Sequence, residues 1–253
     1  MFNPFRYPLL ILVLSLFAFW ISARIGASLP ERQGERENVG HDDFDILLGA
    51  TLTLLALIIG FTFSMAVSRY DQRKNLEEEE ANAIGTEYLR VHVLPAADAA
   101  RVGALLKSYL DHRILHYNTR NEEQLRHIDA QTAQLQTEMW SAVEAPAAAQ
   151  PTPVTALILA GMNDVLNSQG YAQAARRNRI PIGAWILLVA ISILCNLLTG
   201  YRSRGRKAFL LLILPLALSI SIFLIADIDS PRRGTIRVRP QNLESLAESL
   251  HSQ

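Results

Sequence analysis

The chain has 253 residues, half of them hydrophobic, and its 24 lysines and arginines balance its 24 aspartates and glutamates to a formal net charge of zero. Those averages fit an ordinary soluble protein, but they hide where the apolar residues sit. The single cysteine, Cys195, excludes an internal disulfide and, lying in an apolar stretch, reads as a small buried packing residue.

Uncharged stretches occupy residues 7–23, 46–68, 180–201 and 208–226. Each is about as long as a ~30 Å hydrocarbon layer requires at 1.5 Å per helical residue, so four transmembrane helices are expected. The first has Arg6 before it and the small residues Gly26, Ala27 and Ser28 after it, as a secretory signal does. Its apolar run exceeds the ~7–15 residues of a signal core, so it is expected to stay as a membrane span.

The second span passes without a break into a charged helical pattern, as one helix would on leaving the membrane and continuing. Thr53, Leu57, Gly60, Phe61, Ser64 and Ser68 recur in it at three- and four-residue spacing and so share one stripe. Two readings compete for that stripe. Gly60, Ser64 and Ser68 are the small residues that let membrane helices approach closely. Leu57 and Phe61, flanked by the hydroxyls of Thr53, Ser64 and Ser68, would instead form a narrow apolar collar in a wetter pore, and such collars gate by excluding water. The run Glu77, Glu78, Glu79 and Glu80 that follows points all around its helix. In a ring of several copies it would form an acidic vestibule that collects cations; on a lone helix it is solvated or paired with Arg73 and Lys74.

Residues 71–178 read as helical throughout. After Pro95, the residues Val102, Leu105, Leu106, Tyr109, Leu110, Ile114 and Tyr117 keep one apolar face. Leu125, Ile128, Leu135 and Met139 mark a thinner stripe, expected to end before a loop around Pro146, Pro151 and Pro153. A further helix carries Val154, Leu157, Ile158, Met162, Val165 and Leu166 on one face. Such stripes need partners, which predicts a packed helical domain. After the fourth span Pro231 and Gly234 break the helix, and an amphipathic segment from Leu243 to Leu250 closes the chain. The expected organisation is residues 1–70 for helices one and two, 71–178 for a helical cytoplasmic domain continuous with helix two, 179–228 for helices three and four, and 229–253 for a cytoplasmic tail.

Orientation follows from lysine and arginine near the span ends. Arg6, Arg69, Arg73, Lys74, Arg176, Arg177, Arg179, Arg232, Arg233, Arg237 and Arg239 fall on one side, against Arg24, Arg32, Arg36, Arg202, Arg204, Arg206 and Lys207 on the other. The bias puts both termini in the cytoplasm, in the inner membrane. Because the basic clusters hug the span ends, anionic lipid explains them better than nucleic acid, and no nucleic-acid partner is expected.

Enzyme chemistry finds little support. His112 and His116 stand one helical turn apart, a spacing that binds zinc, but no third ligand is fixed and they read as a solvated helix face. His41 with Asp42, Asp43 and Asp45 reads as a polar loop in which Asp42 or Asp43 caps the second span. There is no glycine-rich phosphate loop and no nucleophile elbow, so no catalytic residue, metal site or cofactor is expected.

The segment GFTFSMAVSRYDQRKNL, from Gly60 to Leu76, resembles the end of the second transmembrane helix in bestrophins. Together with EEANAIGTEYLR and DIDSPRRGTIRV it is similar to the bestrophin-like group of bacterial membrane proteins. The resemblance implies an all-α, four-span protein with cytoplasmic termini and a helical cytosolic region between spans two and three. It further implies a homo-oligomer, a pentamer, that passes small ions along an axis lined by the second helix. Carried over, the neck comprises Leu57 and Phe61 with Thr53 a turn earlier. The chain departs from calcium-gated animal bestrophins after span four, where it offers Asp227 and Asp229 followed by Arg232 and Arg233. A hard cation takes six to eight oxygen ligands, so no calcium gating is expected. The rival expectation is a membrane-anchored helical interaction or sensory protein that transports nothing.

Overall fold

The computed structural model describes residues 8–29, 39–203 and 209–252. Arg6, Arg32, Arg36, Arg204, Arg206 and Lys207 of the orientation argument lie outside the described residues, as do the side chains of His41 and Asp42. The elements are α1 (Pro8–Ser28), α2 (Val39–Arg90), a 3-10 turn (Val91–Val93), α3 (Ala96–Asn118), α4 (Glu122–Ala149), α5 (Pro153–Arg177), α6 (Ile182–Arg202), α7 (Leu210–Asp229) and α8 (Gln241–His251), with no strand among the described residues. They group into two compact units, residues 1–70 with 179–237 and residues 71–178 with 238–253.

Among the described residues four helical stretches are long and apolar enough to cross a membrane, Pro8–Ser28, Asp43–Val93, Pro153–Arg202 and Leu211–Asp229, and each lies wholly or partly in the first unit. α1 packs on both α6 and α7. Its core joins Phe19, Leu55, Ala66, Trp185, Leu188, Cys195, Ile222 and Ile225. The crossing of α1 with α6 is made by small residues, since a methyl group on Gly26 would overlap the Leu197 carbonyl and one on Gly200 would overlap the Ala23 carbonyl. Ser22 seals the crossing by donating to the Ile193 carbonyl at 2.8 Å. Close backbone approach of this kind is how helices associate where lipid removes the hydrophobic drive.

The turn after α7 is built around one carboxylate. Asp227 accepts from the Thr235 backbone (2.8 Å), the Thr235 hydroxyl (2.7 Å) and the Ile236 backbone (2.8 Å). Gly234 is required there because a side chain would meet the Asp227 carbonyl. Asp229 accepts from the Ile180 backbone at 3.2 Å, tying the entry of α6 to the exit of α7.

The second unit packs the later part of α2 with α3, α4, α5 and α8 around Ile84, Val91, Val102, Leu106, Tyr109, Met139, Met162, Val165 and Leu243. Two of its helices, α4 and α5, start on side-chain caps. Asn121 accepts from the backbones of Glu123 (2.8 Å) and Gln124 (3.2 Å), and Thr152 with Thr155 forms a capping box ahead of α5.

Four local expectations are corrected. α4 does not stop before Pro146 but runs through it to Ala149, so the loop is only residues 150–152. Pro146 lacks the N–H that would bond the Ala142 carbonyl, and the helix continues through it with that bond missing. Val154 and Leu157 are 51% and 53% exposed, while Ile158, Met162 and Val165 are buried, so the inward face of α5 is narrower than its run of apolar residues. Asp43 lies inside α2, which begins at Val39, and is therefore no cap. His116 is buried and pairs with Asp129 at 2.9 Å instead of facing solvent, and His112 bonds back to the Ser108 carbonyl at 2.8 Å.

Candidate functional site: the outward face of the second helix

α2 is 52 residues long, and in the first unit one side of it is left uncovered. Thr53, Leu57, Gly60, Phe61, Ser64 and Ser68 are all exposed. At about 100° per residue they fall within an arc of about 100°. Leu55, Thr62 and Ala66, on the opposite side, are buried against the other spans. Leu57 is 52% exposed and Phe61 65%. Nothing lies within 4 Å of where a Gly60 side chain would begin, so close packing at Gly60 has no partner among the described residues of the same chain. Among the described residues a small-residue crossing is made at Gly26 and Gly200. The Thr53 hydroxyl donates to the Gly49 carbonyl at 2.8 Å, which satisfies its proton internally and leaves its lone pairs outward.

The same register, continued along α2, reaches Asp71, Asn75, Glu78, Glu79, Asn82, Thr86 and Leu89, all exposed. The four-glutamate run therefore divides. Glu78 and Glu79 face outward, whereas Glu77 and Glu80 are 1% and 0% exposed. Glu77 accepts from the backbones of Asn242 and Leu243, both at 3.0 Å, and from the Asn242 amide at 2.7 Å. It thereby caps the start of α8 from another helix and places a negative charge at the positive end of the helix dipole. Lys107 holds the other end of α8, donating to the Leu250 carbonyl at 2.7 Å.

Glu80 forms a buried ion pair with Arg113, Nε to Oε1, with a second contact from Nη2 to Oε2 at 3.4 Å. The Tyr117 hydroxyl donates to the same Oε2 at 3.3 Å. Arg176 lies over the Tyr117 ring, 3.7 Å from its centre. Burial pushes the Tyr117 hydroxyl up to about 12 and pulls the Arg176 guanidinium down. The sequence reading missed these inward roles, although a signal was present. Ala81, Ile84 and Tyr88 set the buried register of α2, and Glu77 and Glu80 fall on it.

Among the described residues no group of three histidine, cysteine, aspartate or glutamate side chains converges as metal ligands do. Asp45 pairs bidentately with Arg202, at 2.7 and 3.0 Å.

A family model described as the Bestrophin-like domain matches residues 9–243. The fold is similar to crystal structures of a bacterial bestrophin homologue from Klebsiella pneumoniae, in several singly substituted forms. Two of these superpose with a TM-score of 0.67, at 17% identity covering 97% of this chain and 98% of that one, and at 14% identity covering 95% and 98%. A third gives 0.64 at 17% identity, covering 96% and 97%. No curated protein matches the chain. Since the family match runs through all four spans and the helical unit between the second and third, the chain belongs to the bestrophin-like family of membrane proteins.

Proposed function

We propose that the protein is one subunit of a homo-oligomeric ion channel, a pentamer by resemblance to bestrophins, in which the outward face of α2 lines a shared axis. The observation that carries this reading is the arc of Thr53, Leu57, Gly60, Phe61, Ser64 and Ser68, exposed along its whole length while the opposite face of the same helix is buried. Thr53, Leu57 and Phe61 form the neck, where apolar side chains exclude water from the narrow passage. Gly60, Ser64 and Ser68 line the wider part or pack against the next copy. Glu78 and Glu79, with Asp71 on the same arc, supply the acidic vestibule that concentrates small cations; Glu77 and Glu80 serve the subunit's own interior. The channel sits in the bacterial inner membrane with both termini and residues 71–178 in the cytoplasm, and it carries out no catalysis.

The test is the native mass of the protein in lipid nanodiscs, followed by bilayer recordings of wild type and Phe61→Ala. A pentamer whose conductance rises when Phe61 is truncated supports the neck. A monomer or dimer, or a conducting pentamer indifferent to Phe61→Ala, removes it. Cysteines placed from residue 53 to 68 then read the stripe directly, since water-soluble thiol reagents reach every third or fourth position in a pore and none in a dry seam.

A further inference from the structure

Glu87 differs from the other buried carboxylates of the helical unit. Glu77 and Glu80 are answered by donors, whereas Glu87 is fully buried and neither of its carboxylate oxygens accepts a hydrogen bond. Arg90, one turn further on, comes to 3.8 Å of Oε2, beyond hydrogen-bond range. The carboxyl group and Arg90 Nη1 share the notch left by Gly161 on α5, where a methyl group would overlap both. A carboxylate in such a place has lost its water without gaining donors, which favours the neutral acid. Burial accordingly pushes Glu87 up to about 8; Arg90 on α2 opposes the rise and Asp164 on α5 adds to it. Among the described residues those two are the charged groups that act on it.

We propose that Glu87 is a proton-binding site that locks the last turn of α2 to α5 when occupied and loosens that seam when the proton leaves. On deprotonation the proton passes to solvent, and the carboxylate must admit water or close the 3.8 Å gap to Arg90 Nη1, either of which rearranges the contact at Gly161. Because α2 is the helix whose outward face is assigned to the pore, proton occupancy sets how firmly the cytoplasmic end of that lining is held. This last consequence rests on the channel reading; the proton site itself does not.

The test is hydrogen exchange of the full-length protein in nanodiscs from pH 6 to 9, corrected for intrinsic exchange and read over residues 84–93 and 158–166. Wild type should lose protection about tenfold with a midpoint near 8, and Glu87→Gln should give a flat profile. Removing the two neighbouring charges separates titration of Glu87 from a general loosening. Asp164→Asn should lower the midpoint and Arg90→Gln should raise it, each by roughly a few tenths of a pH unit. Identical profiles in wild type and Glu87→Gln, or shifts of one sign in both charge variants, would overturn the proposal. Currents recorded over the same range should follow the same midpoint. A protein that never conducts but titrates as described defeats the channel reading and keeps the proton site; one that conducts with a flat exchange profile defeats the proton site alone.

Discussion

Replacing Arg113 with alanine tests how the helical unit is held. Arg113 and Glu80 are 1% and 0% exposed, so neither charge has water to fall back on. The substitution removes both guanidinium contacts to the carboxylate and leaves only the Tyr117 hydroxyl at 3.3 Å. Breaking a buried pair from one side costs about 3–5 kcal/mol, because the remaining charge stays buried without its partner. At roughly 2–4 °C per kcal/mol for a chain of this size, the unfolding midpoint should drop by about 6–20 °C. The magnitude is a statement about the abandoned carboxylate, not about the attraction between the two groups. The double variant Glu80→Leu with Arg113→Leu should therefore recover most of the loss, since mutual attraction in a buried pair roughly offsets its desolvation. Thermal unfolding in nanodiscs measures both variants, and hydrogen exchange over residues 105–118 localises the effect to α3. A loss under about 1 kcal/mol for Arg113→Ala, or a double variant no better than the single, would refute the argument, because exposed pairs behave that way.

The glycines of the membrane unit should separate by position. Gly26→Ala and Gly200→Ala drive a methyl group into the facing backbone and should abolish or sharply lower the yield of folded protein, measured by monodispersity in detergent. Gly60→Ala meets open space and should fold at least as well, since alanine gains up to about 1 kcal/mol over glycine inside a helix. Glu77→Ala should release α8 by removing the three hydrogen bonds at its start, so that limited proteolysis cuts near residue 240 much faster than in wild type. Unchanged cleavage would mean that Leu243 and Leu250 hold the helix by burial alone.

Stability should also depend on pH through Glu87. Its carboxyl binds a proton more tightly in the folded state, at about 8, than in the unfolded chain at 4.5. Its contribution is therefore fully present below pH 4.5 and is lost as pH rises from there through about 8. Glu87→Gln should flatten that segment of the stability profile, measured as unfolding midpoint against pH.

Much of the fold was legible because a bilayer imposes a simple rule. A helix must supply about 20 apolar residues to cross, and clumps of that length stand out against a neutral, average composition. The stripes of α3 and α4 were equally plain, since Val102, Leu106, Tyr109, Leu110, Leu125, Ile128 and Met139 are buried and Leu105, Ile114, Tyr117 and Leu135 are partly buried beside the core. The stripe on α2 was visible too, but not which side of it was covered. A row of glycine and serine looks the same whether it meets another helix of its chain or faces outward, and Gly26 and Gly200, which make an intrachain crossing, lie at span ends where local sequence does not show what they meet.

The glutamates mark where local reading stopped. Charge alone says that Glu77, Glu78, Glu79 and Glu80 belong in water, and for two of them that is so. The other two are buried because distant parts of the chain bring them donors, Arg113 from α3 and the backbone at the start of α8, at separations of 33 and more than 160 residues. Glu87 is buried with no such donors at all.

By itself, then, the sequence determined the four spans, the unbroken second helix and the apolar faces of α3 and α4, since these depend on composition and period within one segment. Only the tertiary structure decided which glycines touch, which carboxylates turn inward and which face of α2 stays open, because burial of a polar group depends on partners that arrive from elsewhere in the chain.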